Sequence, residues 1–298
     1  MASPERDQIV MVLRAMPRGE TSGDPVKALR ALLETTAAPP PRGTRIEEVE
    51  VAGMVAEWIH CGEVDPDRRL LYLHGGAYLS GSRQSHRALA ARVGRAAGCV
   101  VLLPEYRLAP EHTHPAAVDD AVAALRWLER HRPGAESPSA QLYVAGDSAG
   151  GGLTLAALLA LRDGGGPMPR AAVTLSAWTD LAMTGDSFSS RAAIDPMLPA
   201  SEMHACAKAY LCEVDPRVPL ASPLYGELGG LPPLLMQVGD EEVLLDDTVR
   251  FGERAKAAGV DVTVEVWPEM FHVFQAFAAM LPEGREAIAR IGAFLKSR

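Results

Sequence analysis

The segment Gly146–Gly150 (GDSAG) places a serine between glycines where the chain changes character. The apolar run Gln141–Ala145 precedes it with the length of a buried strand, and the uncharged helical run Ser148–Leu161 follows it. A serine on such a sharp strand-to-helix turn has an accessible hydroxyl, and the unpaired N–H groups of the helix lie beside it. A glycine-rich turn of this kind can also bind a phosphate or nothing. The context favours Ser148 as the nucleophile of an acyl transfer.

A second glycine-rich segment, His74–Ala77 (HGGA), directly follows the apolar run Arg69–Leu73. Acyl transfer needs backbone N–H groups that point at the oxygen that becomes negative, and glycines allow the chain to approach that oxygen closely. The expected oxyanion-hole donors are the N–H groups of Gly76, Ala77 and Ala149. His74 precedes the serine in the chain and is interpreted as a structural histidine that fixes this loop by hydrogen bonding.

The base that activates the serine must be a histidine, and in α/β-hydrolases it follows both the nucleophile and the acid in the chain. Two of the eight histidines follow Ser148, namely His204 and His272. His204 lies in a segment with helical periodicity, whereas His272 comes shortly after the predicted strand Val260–Val266. Ligands and active sites gather at the carboxyl ends of parallel strands. The sequence therefore predicts His272 as the base.

The acid that orients this histidine is less sharply defined by the residues themselves. The segment after the apolar run Leu234–Val238 contains five carboxylates: Asp240, Glu241, Glu242, Asp246 and Asp247. Several of them can be charges at the N-terminus of the next helix, where the helix dipole favours anions. One carboxylate should accept the Nδ1–H of His272 and stabilise the imidazolium that forms. Residue types and spacing leave open which one does so.

These candidate residues need a scaffold that brings distant loops together. Short apolar runs alternate with helical segments along most of the chain, which predicts an α/β fold with a mostly parallel central sheet and helices on both faces. The predicted strands are Arg69–Leu73, Cys99–Leu103, Gln141–Ala145, Ala171–Ser176, Leu234–Val238 and Val260–Val266. The predicted helices are Ser85–Ala97, Pro115–His131, Ser148–Leu161, Thr248–Ala258 and Arg285–Lys296. We therefore expect a single α/β domain over residues 1–298.

Further segments add to this scaffold. Apolar residues at helical spacing predict two N-terminal helices, Asp7–Met16 and Ser22–Thr35. Alternating polarity in Arg45–His60 predicts a β-hairpin. A helical stretch at Asp195–Leu211 interrupts the alternation of strands and helices, so we expect it to be an insertion.

Composition and charge exclude several classes of function. The 298 residues are 48% hydrophobic and 22% charged, which is typical of a globular protein. A net charge of −9 gives no electrostatic support for binding nucleic acid or an anionic membrane surface. The longest uncharged apolar-leaning run, Ser148–Leu161, has 14 residues. That run is shorter than the about 20 residues needed to cross a bilayer.

The cysteines and the N-terminus indicate a compartment. The four cysteines are Cys61, Cys99, Cys206 and Cys212, and they show neither C-x-x-C spacing nor histidine partners at zinc-site distances. The N-terminus carries Glu5, Arg6 and Asp7 early and has no pattern of a secretory signal. We therefore expect reduced thiols in a cytoplasmic protein, and no metal site.

Several motifs together resemble those of the hormone-sensitive-lipase-like esterases, in the subgroup with a GDSAG nucleophile turn. The matching segments are His74–Ala77 (HGGA), Glu105–Glu111 (EYRLAPE, commonly DYRLAPE in the family), Gly146–Gly151 (GDSAGG), Trp178–Leu181 (WTDL), Asp195–Leu198 (DPML) and His272. The occurrence of these motifs in this order is specific for the fold and the class of chemistry, but it says little about the substrate. The resemblance implies an α/β-hydrolase fold with a helical cap, at about residues 1–44 and about residues 183–215.

The same resemblance bears on the acid and the mechanism. The family usually has Asp-Pro-Leu where Glu242-Val243-Leu244 stands here, 30 residues before His272. It therefore implies Glu242 as the acid, as in relatives that use glutamate, with Asp240 as the alternative. The implied reaction is hydrolysis of an ester through an acyl-enzyme on Ser148, with no metal or cofactor.

Three functions from different classes compete at this stage. The first is a carboxylesterase for short-to-medium acyl esters of about two to eight carbons, because a cap closes the pocket and limits chain length. The second is a deacetylase or acetyl hydrolase of a specific natural product. The third, a non-catalytic ligand receptor, is disfavoured because the chain retains Ser148, His272 and the oxyanion loop. Pairing of the edge strand Val260–Val266 across a two-fold axis would form a homodimer.

Overall fold

The structure is a computed structural model that describes residues 2–16, 24–138 and 141–298. It begins with two helices, α1 (Pro4–Ala15) and α2 (Pro25–Thr35). Helix α2 starts at a proline, and the carboxylate of Asp24 accepts the N–H groups of the first turn. The predicted start of this helix at Ser22 lies outside the described residues.

A β-hairpin and a series of strands and helices follow. The hairpin consists of β1 (Thr44–Val51) and β2 (Met54–Cys61), which pair antiparallel as predicted. The next elements are β3 (Asp65–Leu73), α3 (Arg83–Ala97), β4 (Cys99–Pro104), α4 (Ala116–Arg130), β5 (His131–Arg132), β6 (Ala135–Glu136), β7 (Gln141–Asp147), α5 (Ser148–Asp163) and β8 (Ala171–Leu175). The last ones are α6 (Ser187–Ser190), α7 (Ala200–Leu211), β9 (Leu234–Gly239), α8 (Leu245–Ala257), β10 (Val262–Trp267) and α9 (Pro282–Lys296).

Eight strands form one sheet in the order β1-β2-β4-β3-β7-β8-β9-β10. The hairpin strand β2 pairs antiparallel with β4, and every pair from β4 to β10 is parallel. Parallel strands end at the same edge of the sheet, so the loops after β3, β7, β9 and β10 lie together. These are the loops that carry the predicted oxyanion hole, nucleophile, acid and base.

The central strands are buried on both faces, which explains their continuous apolar runs. On one face Leu71 and Leu73 belong to the same apolar cluster as helices α4, α5 and α8. On the other face Leu70 and Tyr72 pack with helices α3 and α9. The alternation follows from the two-residue period of a strand. Helices therefore cover both faces of the sheet, as the sequence predicted.

One predicted helix is shorter than expected. The sequence predicted a helical stretch over Asp195–Leu211, but α7 begins only at Ala200. Pro196 and Pro199 interrupt the pattern, and the Asp195 carboxylate accepts the N–H groups of two following residues in a turn. In the described part of the chain, no helix combines the length and the apolar character that a bilayer span requires.

Candidate active site

Ser148 lies on the sharp turn between β7 and α5. Its φ of 53° is in the left-handed region that non-glycine residues rarely adopt. Close approach around it requires glycine: a Cβ on Gly146 would lie 2.2 Å from the carbonyl oxygen of Gly150, and one on Gly150 would lie 2.1 Å from that of Leu73. The turn therefore packs closely against the end of β3. Ser148 itself is partly exposed.

His272 lies in the loop after β10 and contacts both Ser148 and Glu242. Its Nε2 is 2.9 Å from the Ser148 Oγ, and its Nδ1 is 2.7 Å from a Glu242 carboxylate oxygen. Because an ionised carboxylate can only accept a hydrogen bond, we assign the ring proton to Nδ1. The Ser148 hydroxyl then donates to Nε2. The structure therefore joins three of the predicted site residues in one hydrogen-bond chain.

The surroundings of His272 favour its protonated form. Burial by itself lowers the pKa of His272, but the hydrogen bond and the negative charge of Glu242 raise it, and the net effect is a pKa above the ordinary value. A raised pKa suits an imidazole that must accept a proton from a neighbouring hydroxyl. Its partner Glu242 is completely buried, which removes competing water from the carboxylate.

The second oxygen of the Glu242 carboxylate is fully engaged by the protein. It accepts the N–H of Gly239 at 2.6 Å and the hydroxyl of Ser176 at 2.8 Å. The Ser176 oxygen in turn accepts the N–H of Val273, next to His272, at 3.0 Å. Ser176 thus links the acid loop to the base loop. Sequence reasoning missed this role, because only its position at the end of a predicted strand marked it.

The other four carboxylates of the acid segment have different partners. Asp240, the alternative acid, accepts the N–H of Glu269 at 2.6 Å. Asp247 accepts two backbone N–H groups of the Trp178–Leu181 segment, at 2.7 and 2.8 Å. Burial and the neighbouring carboxylate of that segment raise the pKa of Asp247 well above its ordinary value. Of the last two carboxylates, Glu241 forms an ion pair with Arg6, and Asp246 accepts the N–H of Ser187.

Asp195 holds the acid loop from the side. One of its oxygens accepts the N–H groups of Met197 and Leu198 at 2.8 and 2.9 Å, and the other accepts the N–H of Val243, next to Glu242, at 2.9 Å. Its side chain is nearly fully buried. The sequence marked this residue as part of the DPML segment and as the start of a predicted helical stretch, and assigned it no role in the site.

The predicted oxyanion loop lies between β3 and α3. Gly76 and Ala77 have φ values of 120° and 56°, and the turn closes with the N–H groups of Leu79 and Ser80 on the carbonyl oxygen of Gly76. Ala149 lies in the first turn of α5, where N–H groups lack helical partners. Within the described ranges, no acceptor takes the N–H of Gly76, Ala77 or Ala149. In that part of the chain the three N–H groups thus lack a protein acceptor, which is what the predicted oxyanion donors require.

The remaining histidines considered from the sequence lie outside the triad. His74 is completely buried, its Nδ1 is 2.9 Å from the carbonyl oxygen of Gly75, and its ring stacks on Tyr106 at a centroid distance of 4.2 Å. Burial lowers its pKa to about 3, so the ring stays neutral. It fixes the oxyanion loop, as interpreted from the sequence. His204 is exposed on α7 and its ring contacts Phe188.

A buried carboxylate and a histidine pair next to the nucleophile turn. Asp147 accepts the hydroxyl of Tyr72 at 2.8 Å, and its second oxygen is 3.3 Å from the Nε2 of His86. Burial alone would raise the pKa of Asp147, but the charge and hydrogen bond of His86 hold it below the ordinary value. Burial by itself lowers the pKa of His86, but the negative charge and the hydrogen bond of Asp147 raise it. The net effect is a pKa of His86 above its ordinary value. Sequence reasoning missed this pair, which braces the residue before Ser148.

The arrangement as a whole suits acyl transfer. A serine hydroxyl, an imidazole and a carboxylate form one hydrogen-bond chain. Across residues 2–16, 24–138 and 141–298, no group of histidine, cysteine, aspartate or glutamate side chains is arranged to hold a metal ion. A hydroxyl, an imidazole held by a carboxylate and backbone N–H groups are the kinds of group that acyl transfer uses.

Comparisons with known proteins identify the fold family and its relatives. A protein-family model described as the alpha/beta hydrolase fold matches residues 70–276. A relative from Streptomyces hygroscopicus, named acetyl-hydrolase, is 51% identical over 249 residues, which cover 84% of this chain and 82% of that protein. The carboxylesterase NlhH of Mycobacterium tuberculosis is 32% identical over an alignment of 311 positions, which covers 99% of this chain and 97% of that protein.

A solved structure is similar along the whole length. It is described as an esterase from the bacterial hormone-sensitive lipase family, is 46% identical, and covers 100% of this chain and 99% of its own. The two folds superpose with a TM-score of 0.91. Sequence and fold are thus similar to proteins that are named esterases and acetyl-hydrolases.

Proposed function

The chain belongs to the α/β-hydrolase fold family and, within it, to the hormone-sensitive-lipase-like esterases, and on this basis we propose that Ser148, His272 and Glu242 are its catalytic triad. The protein is a carboxylic ester hydrolase. The observation that carries the triad proposal is the hydrogen-bond chain from the Ser148 Oγ through His272 to Glu242, with distances of 2.9 and 2.7 Å. We propose short-to-medium acyl esters as its substrates.

In the first half of the reaction the serine is acylated. The Ser148 Oγ attacks the ester carbonyl carbon while the His272 Nε2 takes the hydroxyl proton, and the carbonyl oxygen becomes negative. The proposed donors to that oxygen are the N–H groups of Gly76, Ala77 and Ala149. The imidazolium then gives its proton to the leaving alcohol as the carbon–oxygen bond breaks. The acyl-enzyme and a neutral His272 remain.

In the second half water repeats the sequence. His272 takes a proton from water as the water oxygen attacks the acyl carbon. The same three N–H groups donate hydrogen bonds to the carbonyl oxygen as it becomes negative again. When the tetrahedral intermediate collapses, the proton returns from His272 to the Ser148 Oγ and the carboxylic acid leaves. Throughout both halves Glu242 accepts from Nδ1, which keeps the ring oriented and stabilises the imidazolium.

Covalent labelling tests the proposed nucleophile. A fluorophosphonate should label the protein once, at Ser148, and peptide mass spectrometry identifies the site. Ser148→Ala should remove both the label and ester hydrolysis. Ser82, the N-cap residue of α3, offers a matched control, since Ser82→Ala should leave labelling in place. A label on Ser176 or Ser82 would contradict the assignment.

A second candidate function is the removal of acetyl groups from a specific natural product. The observation in its favour is the 51% identity to a protein named acetyl-hydrolase. Leaving-group specificity depends on pocket shape, so a substrate panel decides between the two. A panel of p-nitrophenyl esters of increasing acyl length, run beside N-acetyl amides, should show ester activity across short chains. Activity confined to acetyl groups would favour the acetyl hydrolase.

We further propose one domain over residues 1–298, with cap elements at about 1–44 and about 183–215. Helix α1 packs on the base loop through a cluster that includes Ile9, Leu13 and Phe271. Tyr210 of α7 stacks on Tyr78 of the oxyanion loop at 3.9 Å between ring centroids. Both elements therefore lie at the catalytic edge of the sheet, where a cap can close the acyl pocket and limit chain length to about two to eight carbons.

Truncation tests the role of the N-terminal cap element. A variant that begins at Thr44 should fold, show a raised KM and prefer different acyl chain lengths. Lost stability with an unchanged chain-length profile would show that these helices pad an apolar flank instead. The full chain, measured on the same esters, is the control.

Oligomeric state and compartment complete the proposal. Strand β10 is at the sheet edge and carries the half-exposed Val266, so pairing of two β10 strands across a two-fold axis is the proposed route to a homodimer. Light scattering coupled to gel filtration tests it, and a monomeric mass would contradict it.

A cytoplasmic location is proposed from four free cysteines, which are common in reducing compartments, and cell fractionation tests it.

A further inference from the structure

Arg6 of α1 contacts two loops that the proposed mechanism needs at a fixed separation. Its guanidinium forms an ion pair with Glu241, the residue before Glu242. Its Nε donates to the carbonyl oxygen of Glu269 at 2.8 Å, in the loop that leads to His272. The Arg6 side chain is only 13% exposed, so the guanidinium is held by the protein rather than by water. One planar group thus joins the acid loop to the base loop.

The two loops are also paired directly. The N–H of Asp240 donates to the carbonyl oxygen of Trp267, and the N–H of Glu241 donates to that of Met270, both at 3.1 Å. The Asp240 carboxylate accepts the N–H of Glu269 at 2.6 Å. Arg6 adds a charged contact from a separate helix to this pairing. The position of α1 is therefore coupled to the separation of the two loops.

Arg30 of α2 holds the oxyanion loop in a comparable way. Its Nε donates to the carbonyl oxygen of Leu79 at 2.8 Å, and its Nη2 donates to that of Ala109 at 3.1 Å. Both terminal nitrogens bond the Glu111 carboxylate, at 2.8 and 2.7 Å. The N–H of Leu79 closes the turn onto Gly76 at 3.1 Å. Arg30 therefore anchors the turn that presents the oxyanion donors.

We infer that Arg6 and Arg30 are positioning residues for ester hydrolysis: Arg6 maintains the alignment of Glu242 with His272, and Arg30 maintains the oxyanion donors. This inference rests on the triad and oxyanion hole proposed above. It assigns the N-terminal helices an effect on the chemical steps, in addition to covering the pocket. A displacement of catalytic groups by about 1 Å can reduce a rate by about 100-fold, so contacts of this kind matter although they touch no substrate.

The two arginines should affect different parts of the reaction. His272 must protonate the leaving alcohol, and this matters most for a poor leaving group such as ethanol and little for p-nitrophenolate. Loss of Arg6 should therefore reduce acylation by an ethyl ester more than acylation by a p-nitrophenyl ester. The oxyanion forms with either leaving group, so loss of Arg30 should reduce both by the same factor.

The experiment measures kcat/KM for ethyl butyrate and p-nitrophenyl butyrate, which share one acyl group, and the acyl-length profile on p-nitrophenyl esters of increasing length. Arg6→Ala, Arg30→Ala and the double variant are compared with the wild-type protein and with Ser148→Ala. For all proteins except Ser148→Ala, which takes no label and is measured per mole of protein, rates are divided by the concentration of sites titrated with a fluorophosphonate, so that unfolded protein does not count. Glu5→Ala on α1 and Lys27→Ala on α2 remove exposed charges from the same helices and are the controls.

On ethyl butyrate each arginine variant should lose about tenfold in kcat/KM per titrated site, and the double variant about 100-fold because the two contacts act independently. On p-nitrophenyl butyrate, Arg30→Ala should again lose about tenfold and Arg6→Ala clearly less. The controls should stay at the wild-type value, and the acyl-length profile should not change. If an alanine variant does not fold, Arg6→Lys and Arg30→Lys keep the charge, lose the planar fork and should show the same pattern with smaller losses.

Several outcomes would overturn the inference. An unchanged kcat/KM per titrated site with a lower melting temperature would show a structural role only. A changed acyl-length profile would assign the helices to pocket closure alone. Equal losses on both esters in Arg6→Ala would remove the link to His272. Ser148→Ala that still hydrolyses esters would instead refute the triad proposal, whatever the arginine variants do.

Discussion

The base loop and the oxyanion loop each carry a buried histidine at the same edge of the sheet, and the two rings differ in their partners. The Nδ1 of His272 meets the Glu242 carboxylate at 2.7 Å, and its pKa is raised. The Nδ1 of His74 meets the carbonyl oxygen of Gly75 at 2.9 Å, its ring stacks on an aromatic side chain, and its pKa is lowered to about 3. Burial is nearly the same for both, at 4% and 0% exposure.

The difference shows what turns a buried histidine into a base. Burial alone disfavours the imidazolium, so a ring without an anionic partner stays neutral and can only support structure. A carboxylate on Nδ1 offsets that cost and lets the other nitrogen accept a proton. The proposed acid, rather than the histidine itself, therefore distinguishes the two loops. Each prediction below tests that distinction.

The largest effect is expected at the base loop. Ser148→Ala and His272→Ala should each lower kcat by about 10⁶-fold, and the double variant should lose no more than either one, because triad members act as a unit. Steady-state kinetics on p-nitrophenyl esters measures this, with circular dichroism as a check of folding. Multiplicative losses in the double variant would mean that the two residues act in separate steps.

The carboxylate partner comes next. Glu242→Gln should fold normally and lower kcat by about 10⁴-fold, because the amide favours the wrong tautomer of His272. Asp240→Asn, which changes a carboxylate bonded to the Glu269 N–H, is the matched control and should be much milder. If Asp240→Asn is the more damaging variant, the acid has been assigned to the wrong residue.

The oxyanion loop should give a smaller loss without a change in pH dependence. His272 must be neutral to act as a base, so kcat/KM should fall as pH decreases through its raised pKa, above the ordinary value of about 6.5. His74→Gln should reduce kcat by about tenfold because it disturbs the oxyanion loop. The decrease of kcat/KM toward acid pH, the acid limb of the profile, should stay at the same pH in this variant. Glu242→Gln should move the limb to lower pH. A limb that moves in His74→Gln would make His74 the titrating group.

The smallest effect is on stability. Since folding lowers the pKa of His74 to about 3, the unfolded chain binds a proton that the native state does not, between that pH and the ordinary pKa of about 6.5. This group therefore makes the free energy of unfolding decrease as pH falls through that window. Urea unfolding at about pH 7 and about pH 5 should show a larger decrease for the wild type than for His74→Gln. Equal decreases would mean that His74 is already charged in the native state.

Several parts of the fold and the site were predictable because they are local in sequence. The nucleophile turn is a contiguous strand, glycine, serine and helix, and the structure has Ser148 between β7 and α5. The alternating apolar runs predicted the parallel sheet with helices on both faces, and the sheet is of this kind. The helix expected from Asp195 was predicted too long, because periodicity outweighed two prolines in that interpretation.

The sequence by itself determined the chemistry class: chain order and residue type predicted Ser148, His272 and the glycine-rich oxyanion loop as its site. Residue types and spacing left the acid open among five carboxylates and only the family resemblance implied Glu242, whereas the tertiary structure decided which carboxylate meets the histidine, because the loop path sets the direction of each side chain. The supporting contacts were equally hidden. Ser176 bonds Glu242 across 66 residues and Arg6 pairs with Glu241 across 235 residues. A sequence pattern reports local periodicity, whereas such partners meet only when the sheet has brought the ends of distant strands to one edge.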